Sequence, residues 1–150
     1  MFNRSAPKES AVLTESTAPD VSTKARVAEQ THSDDDGPVV QMVTTLVSQG
    51  LRDRASDIHI EPLNDILRIR YRIDGNLVEA QTLPLQLHSS LVSRLKIMAG
   101  MNIVERRRPQ DGQFSTTVDG REVDVRVATV STVFGEKLVM RLLDKRRSTI

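Results

Sequence analysis

Cysteine and tryptophan are absent from this 150-residue chain, and tyrosine occurs once. Without cysteine there is no disulfide, no thiolate zinc site and no thiol nucleophile, a composition that suits a reducing compartment. Aromatic residues make up only 3% of the chain, so a stacking platform for single-stranded nucleic acid has little to be built from. No apolar run approaches the roughly 20 residues that cross a bilayer, and the first residues lack the apolar centre of a secretory signal. Direct membrane insertion is therefore not expected, and any membrane association would pass through a protein partner. A Gly-x-x-x-x-Gly-Lys-Ser/Thr loop is also missing. The nearest stretch, Phe134-Gly135-Glu136-Lys137, has the wrong glycine spacing and sets a carboxylate where a phosphate would sit.

What is present divides unevenly. Residues 1–37 carry four basic and seven acidic side chains, with few large apolar ones, and end in Asp34-Asp35-Asp36-Gly37. Such a segment cannot bury enough apolar surface to offset the entropy of ordering its backbone, so it reads as a disordered polar tail. The remainder carries seventeen basic and thirteen acidic side chains. That excess is mild for a protein built to hold nucleic-acid backbones. An apolar fraction of 38% in a chain of this length suits one soluble domain, expected over 38–144, with 145–150 as the start of a linker.

Periodicity then gives the elements. Val39, Met42, Val43, Leu46, Val47 and Leu51 recur at helical spacing and predict a helix over 38–52. Ile58 and Ile60 alternate with Asp57, His59 and Glu61, while Leu67, Ile69, Tyr71 and Ile73 alternate with Arg68, Arg70 and Arg72, the period of half-buried strands. Asn64-Asp65 and Asp74-Gly75-Asn76 supply turns between them. A third strand ends at Pro84, and Leu87, Leu91, Leu95 and Met98 mark a second helix that stops at Gly100. Pro109-Gln110-Asp111-Gly112 reads as a turn. Strands are expected near 113–118, 121–130 and 136–143, with Asp119-Gly120 as a tight hairpin turn. The sum is an α+β fold: an antiparallel sheet of about six strands with two helices on one face.

No nucleophile and base stand out as a pair. Asp57, His59 and Glu61 share a strand face, but same-face neighbours lie about 7 Å apart, so pairing with Arg68, Arg70 and Arg72 on the next strand is the simpler expectation than a metal site. His32, His59 and His88 are scattered, and each is expected to be exposed or held by an ordinary hydrogen bond. Arg106, Arg107 and Arg108 read as a solvated or subunit-contact face. Arg126 and Arg141, taken from their own neighbourhood, read as sheet-face residues paired with Asp124 or Glu122.

A further reading comes from several motifs in order. They are Ala-Ser-Asp-Ile-His-Ile-Glu-Pro (55–62), Arg-Tyr-Arg-Ile-Asp-Gly (70–75), Ser-Arg-Leu-Lys-Ile-Met-Ala-Gly-Met-Asn-Ile (93–103), Glu-Arg-Arg-Arg-Pro-Gln-Asp-Gly (105–112), Val-Asp-Val-Arg-Val (123–127) and Gly-Glu-Lys-Leu-Val-Met-Arg-Leu-Leu-Asp (135–144). Together this stretch resembles the N-terminal domain that directly precedes the ATPase core in the type II secretion and type IV pilus assembly ATPases. The resemblance implies that Arg126 and Arg141 contact the phosphates of ATP bound by the following domain. It also implies a complete protein that is a cytoplasmic hexamer, peripheral to the inner membrane through secretion or pilus platform proteins. That protein would use ATP and Mg²⁺ to drive pilus or pseudopilus assembly and protein export. The chain stops before that core, so it is expected to bind no cofactor and to hydrolyse no ATP alone. Where the family usually places an arginine after the Asp-Gly pair, this sequence has Gln113. Two other expectations are set beside this one: a stand-alone module that binds the parent ATPase through the face bearing Arg126 and Arg141, and a small nucleic-acid-binding protein.

Overall fold

The computed structural model describes residues 37–145. The tail expected over 1–37, all but its last residue, and the linker expected over 145–150, all but its first, lie outside the described residues, as does His32. The architecture is α+β: two helices and a six-stranded, wholly antiparallel sheet. Helix α1 occupies residues 37–52. Strands β1 (Asp57–Pro62), β2 (Ile66–Ile73) and β3 (Asn76–Pro84) follow as one meander. A short 3₁₀ turn leads into helix α2 (His88–Met98), and β4 (Gln110–Val118), β5 (Arg121–Thr132) and β6 (Gly135–Asp144) form a second meander. The strand order β3-β2-β1-β6-β5-β4 joins the two meanders through their first and last strands.

The alternation read from the sequence sets which face is covered. Ile58, Ile60, Leu67, Ile69, Tyr71, Val123, Val125, Val127, Leu138 and Met140 are buried together with Val43, Leu46 and Val47 of α1 and Leu91 and Leu95 of α2. Burial of each such side chain is worth about 1.5–3 kcal/mol, so this single face carries most of the folding drive. Tyr71 donates its hydroxyl to the carbonyl of Leu46 at 3.2 Å, which satisfies the one polar atom that this ring brings into the core. Ser48 of α1 donates to Asp119 Oδ2 in the β4–β5 turn at 2.8 Å.

Turn chemistry holds the register. Asp74 and Gly75 (φ 53° and 82°) and Asp119 and Gly120 (φ 52° and 75°) place both central residues of two hairpins in the left-handed region. That geometry matches the twist of antiparallel strands. Helix α2 closes as read, with Gly100 at φ 73°, Gly100 N–H donating to the carbonyl of Ile97 and Met101 N–H to that of Lys96.

One stretch differs from its sequence reading. Pro109-Gln110-Asp111-Gly112 is not a turn, because β4 already begins at Gln110 and pairs Gln110 with Thr129 and Gly112 with Val127. Gly112 serves close packing instead: a β-carbon there would lie 2.3 Å from the Ala99 carbonyl oxygen at the end of α2. The loop before β4 is tied down by Lys96, which is only 1% exposed. Its ammonium meets Glu136 Oε2 at 2.8 Å and donates to the carbonyl of Glu105 at 2.6 Å.

Candidate functional site

The sheet face opposite the helices is polar and strongly organised. Register alone aligns one row across it: Gln113 of β4 lies opposite Arg126 of β5, Arg126 opposite Arg141 of β6, Arg141 opposite Asp57 of β1, and Asp57 opposite Arg72 of β2. The adjacent row runs Asp111, Ala128, Val139, His59, Arg70.

On the β1–β2 half the charges are compensated as the alternation predicts. Glu61 accepts a two-point contact from Arg70, Nε to Oε1 at 2.8 Å and Nη2 to Oε2 at 2.7 Å, with Arg68 Nε at 3.0 Å and Lys137 Nζ at 3.2 Å. Burial alone would raise its pKa, but the hydrogen bonds from Arg70, Arg68 and Lys137 outweigh that and hold it at about 2. Asp57 divides its two oxygens, Oδ1 to Arg141 Nε at 3.1 Å and Oδ2 to Arg72 Nε at 3.2 Å. His59 departs from its reading: it is neither exposed nor hydrogen-bonded, being 7% exposed with both ring nitrogens buried and unpartnered among the described residues. Burial first, and the Lys137 charge second, lower its pKa, so the imidazole is held neutral. His88 behaves as read, with Nε2 donating to the carbonyl of Glu136 at 2.7 Å.

On the other half the pairing differs from the sequence reading. Arg126 and Arg141 do not pair with Asp124 or Glu122. Asp124 accepts from Ser115 Oγ at 2.6 Å and lies 3.8 Å from Lys145 Nζ, and Glu122 meets the same ammonium at 3.3 Å. Arg141 turns to Asp57, a residue 84 positions away in sequence, and Arg126 makes no ion pair or hydrogen bond among the described residues. Like charges set directly opposite on neighbouring strands destabilise a sheet, by up to about 1 kcal/mol for an exposed pair. Here they line a concavity of about 650 Å³ together with the apolar Ala128 and Val139 and the polar Asp111 and Gln113. Two guanidinium groups, one of them without an ion pair among the described residues, thus bring planar, permanently charged donors to this concavity.

The first two rows thus bring together the two arginines named from sequence and add Gln113, Ala128 and Val139, which sequence reasoning did not place at one site. The carboxylates Asp57 and Glu61 are taken up by arginine and lysine side chains, and the described residues contain no group of three His, Cys, Asp or Glu side chains able to hold a metal ion.

Comparison with known proteins bears on what such a domain is part of. The model of the family described as "Type II/IV secretion system protein" matches residues 32–150. The chain belongs to this family. Among its type II/IV secretion relatives, the type II secretion system protein E of Xanthomonas campestris pv. campestris is 50% identical over 110 residues, covering 73% of this chain and 19% of that protein. The type IV pilus assembly ATPase PilB of Myxococcus xanthus is 47% identical over 120 residues, 79% of this chain and 21% of PilB. The type II secretion system ATPase E of Vibrio cholerae is 45% identical over 118 residues, 79% of this chain and 24% of that ATPase. The chain therefore corresponds to about a fifth to a quarter of each of these secretion and pilus proteins. No helix among the described residues is long and apolar enough to cross a membrane.

Proposed function

We propose that this chain is the arginine-supplying domain of a type II secretion or type IV pilus assembly ATPase. In the complete protein, its open sheet face closes over ATP held by the ATPase part. Arg126 and Arg141 then meet the γ-phosphoryl oxygens, where negative charge changes most during transfer. The observation that carries this reading is the like-charged pair Arg126–Arg141, directly opposite in register, with no ion pair at Arg126 among the described residues, beside a concavity also lined by Ala128 and Val139. A sheet surface with only a structural role would be more stable with a carboxylate in one of these positions.

The chain itself contributes orientation and charge. ATP and Mg²⁺ would be held by the ATPase part, since this sequence carries no Gly-x-x-x-x-Gly-Lys-Ser/Thr loop. By its family, the complete protein would be a hexamer at the cytoplasmic side of the inner membrane, turning hydrolysis into the assembly of a pilus or pseudopilus.

The test is an exchange enzyme. The matched segment of Myxococcus xanthus PilB, replaced by the corresponding residues of this chain, should retain ATP hydrolysis. Arg126→Ala and Arg141→Ala should each lower kcat by about 10²-fold or more while changing KM for ATP far less, the signature of contacts made chiefly in the transition state. Unchanged kcat in both variants would remove the reading.

A further inference from the structure

Two carboxylates on β1 are nearly equally buried and are used in different ways. The Glu61 and Asp57 side chains are 9% and 6% exposed, respectively. Glu61 grips Arg70 by both Nε and Nη2, a fork contact that takes up one whole edge of that guanidinium, whose side chain is 26% exposed. Asp57 makes no fork contact. It touches Arg141 through Nε alone, and that side chain remains 65% exposed, with no hydrogen bond from its two Nη groups among the described residues. The second oxygen of Asp57 is held by Arg72, whose Nη1 donates to the carbonyl of Gly75 at 3.0 Å in the β2–β3 turn. A chain of contacts therefore runs from a fixed turn through Arg72 and Asp57 and ends at a guanidinium braced at its base and open at its tip.

We infer that Asp57 is a positioning residue: it fixes the direction of the Arg141 guanidinium, through Nε, toward the phosphate-bearing ligand of the concavity, with Arg72 holding the carboxylate in place. The inference rests on the phosphate reading of Arg141 given above. An unbraced arginine must give up the freedom of its long side chain when it binds, and bracing it beforehand removes part of that cost. Bracing through Nε leaves both Nη groups to make the parallel two-point contact that phosphate oxygens accept. Arg126, which has no such brace among the described residues, supplies charge with freedom to adapt.

The sign of one substitution separates positioning from simple charge. Asp57→Asn keeps the shape of the side chain but makes the face one charge more positive. Long-range attraction alone would then tighten the binding of an anion, whereas loss of the brace would weaken it. The experiment uses the whole 150-residue chain, titrated with inorganic tripolyphosphate and followed on the arginine Nε–H resonances by NMR, with thermal unfolding recorded for every variant. In the unmodified chain the Arg126 and Arg141 signals should move together and saturate. Asp57→Asn should weaken binding about fivefold and speed exchange of the Arg141 Nε–H. Arg141→Lys, at an exposed position and with charge unchanged, should weaken it about tenfold.

Binding by Asp57→Asn as tight as or tighter than that of the unmodified chain, with Arg141 exchange unaltered, would overturn the positioning role. The phosphate reading would survive that result if Arg141→Ala still bound poorly. Equal binding by Arg141→Ala would instead remove the phosphate reading and the positioning role with it. Should Asp57→Asn fail to fold, Arg141→Lys decides: affinity equal to the unmodified chain shows that charge suffices and overturns the inference.

Discussion

His59 is the residue at which burial and chemistry are least reconciled. Both ring nitrogens are buried without a hydrogen-bond partner among the described residues, and burial, aided by the Lys137 charge, lowers the pKa. The sign follows from linkage. The unfolded chain titrates this imidazole near 6.5 and the folded chain lower, so the unfolded state takes up the proton first as pH falls. Stability is undiminished above that range, declines as pH drops through it, and levels off once the folded imidazole is protonated too. Glu61, held at about 2, loses its own contribution as pH falls from the ordinary carboxylate range toward that value, which leaves the window between pH 7.5 and 5.5 clear of it. Urea denaturation should therefore show His59→Leu within about 1 kcal/mol of the unmodified chain at pH 7.5, since no hydrogen bond is lost, and less sensitive to the shift to pH 5.5. Equal acid sensitivity in the two would assign the effect elsewhere. At this scale the sequence was legible where partners lie on the next strand. Arg68, Arg70 and Arg72 meet Asp57 and Glu61 because alternation and a short turn bring them opposite one another. It was not legible for Arg126 and Arg141, whose local carboxylates are drawn to Ser115 and Lys145.

The elements were readable wherever a single period ran unbroken, as in β2 (Ile66–Ile73), where apolar residues and arginines alternate from Leu67 to Ile73. The start of β4 was not readable, because proline followed by Asp-Gly has the composition of a turn. What decides the conformation is tertiary: the strand must pass against the end of α2, and only a residue without a side chain fits beside the Ala99 carbonyl. Gly112→Ala should therefore destabilise the domain by about 2–3 kcal/mol, since backbone on both sides limits relief of the overlap. Urea denaturation would show it as a lowered midpoint, and an unchanged midpoint would mean that α2 and β4 are free to separate at this point. Gly112 also lies between Asp111 and Gln113 in the lining of the concavity, so the glycine that seats the strand helps to set the position of the site.

Across the whole molecule, the site exists because the first and last strands are neighbours. Pairing of β1 with β6 brings Asp57 opposite Arg141, and pairing of β6 with β5 then adds Arg126. Neither the two meanders nor their turns specify this seam, so the row could not be assembled from local pattern, and the family resemblance supplied the two arginines without their geometry. One helix-covered face supplies stability and leaves the other free to carry an arrangement of charges that is locally unfavourable, as functional surfaces do. On the proposed function, this free face meets ATP held by the rest of a secretion or pilus ATPase. That claim is tested most directly by the structure of the exchange enzyme, PilB bearing this chain's matched residues, with a non-hydrolysable ATP analogue bound. The account predicts Nη nitrogens of Arg126 and Arg141 within about 3 Å of γ-phosphate oxygens. Both arginines turned to solvent, with the γ-phosphate contacted by other residues alone, would contradict it.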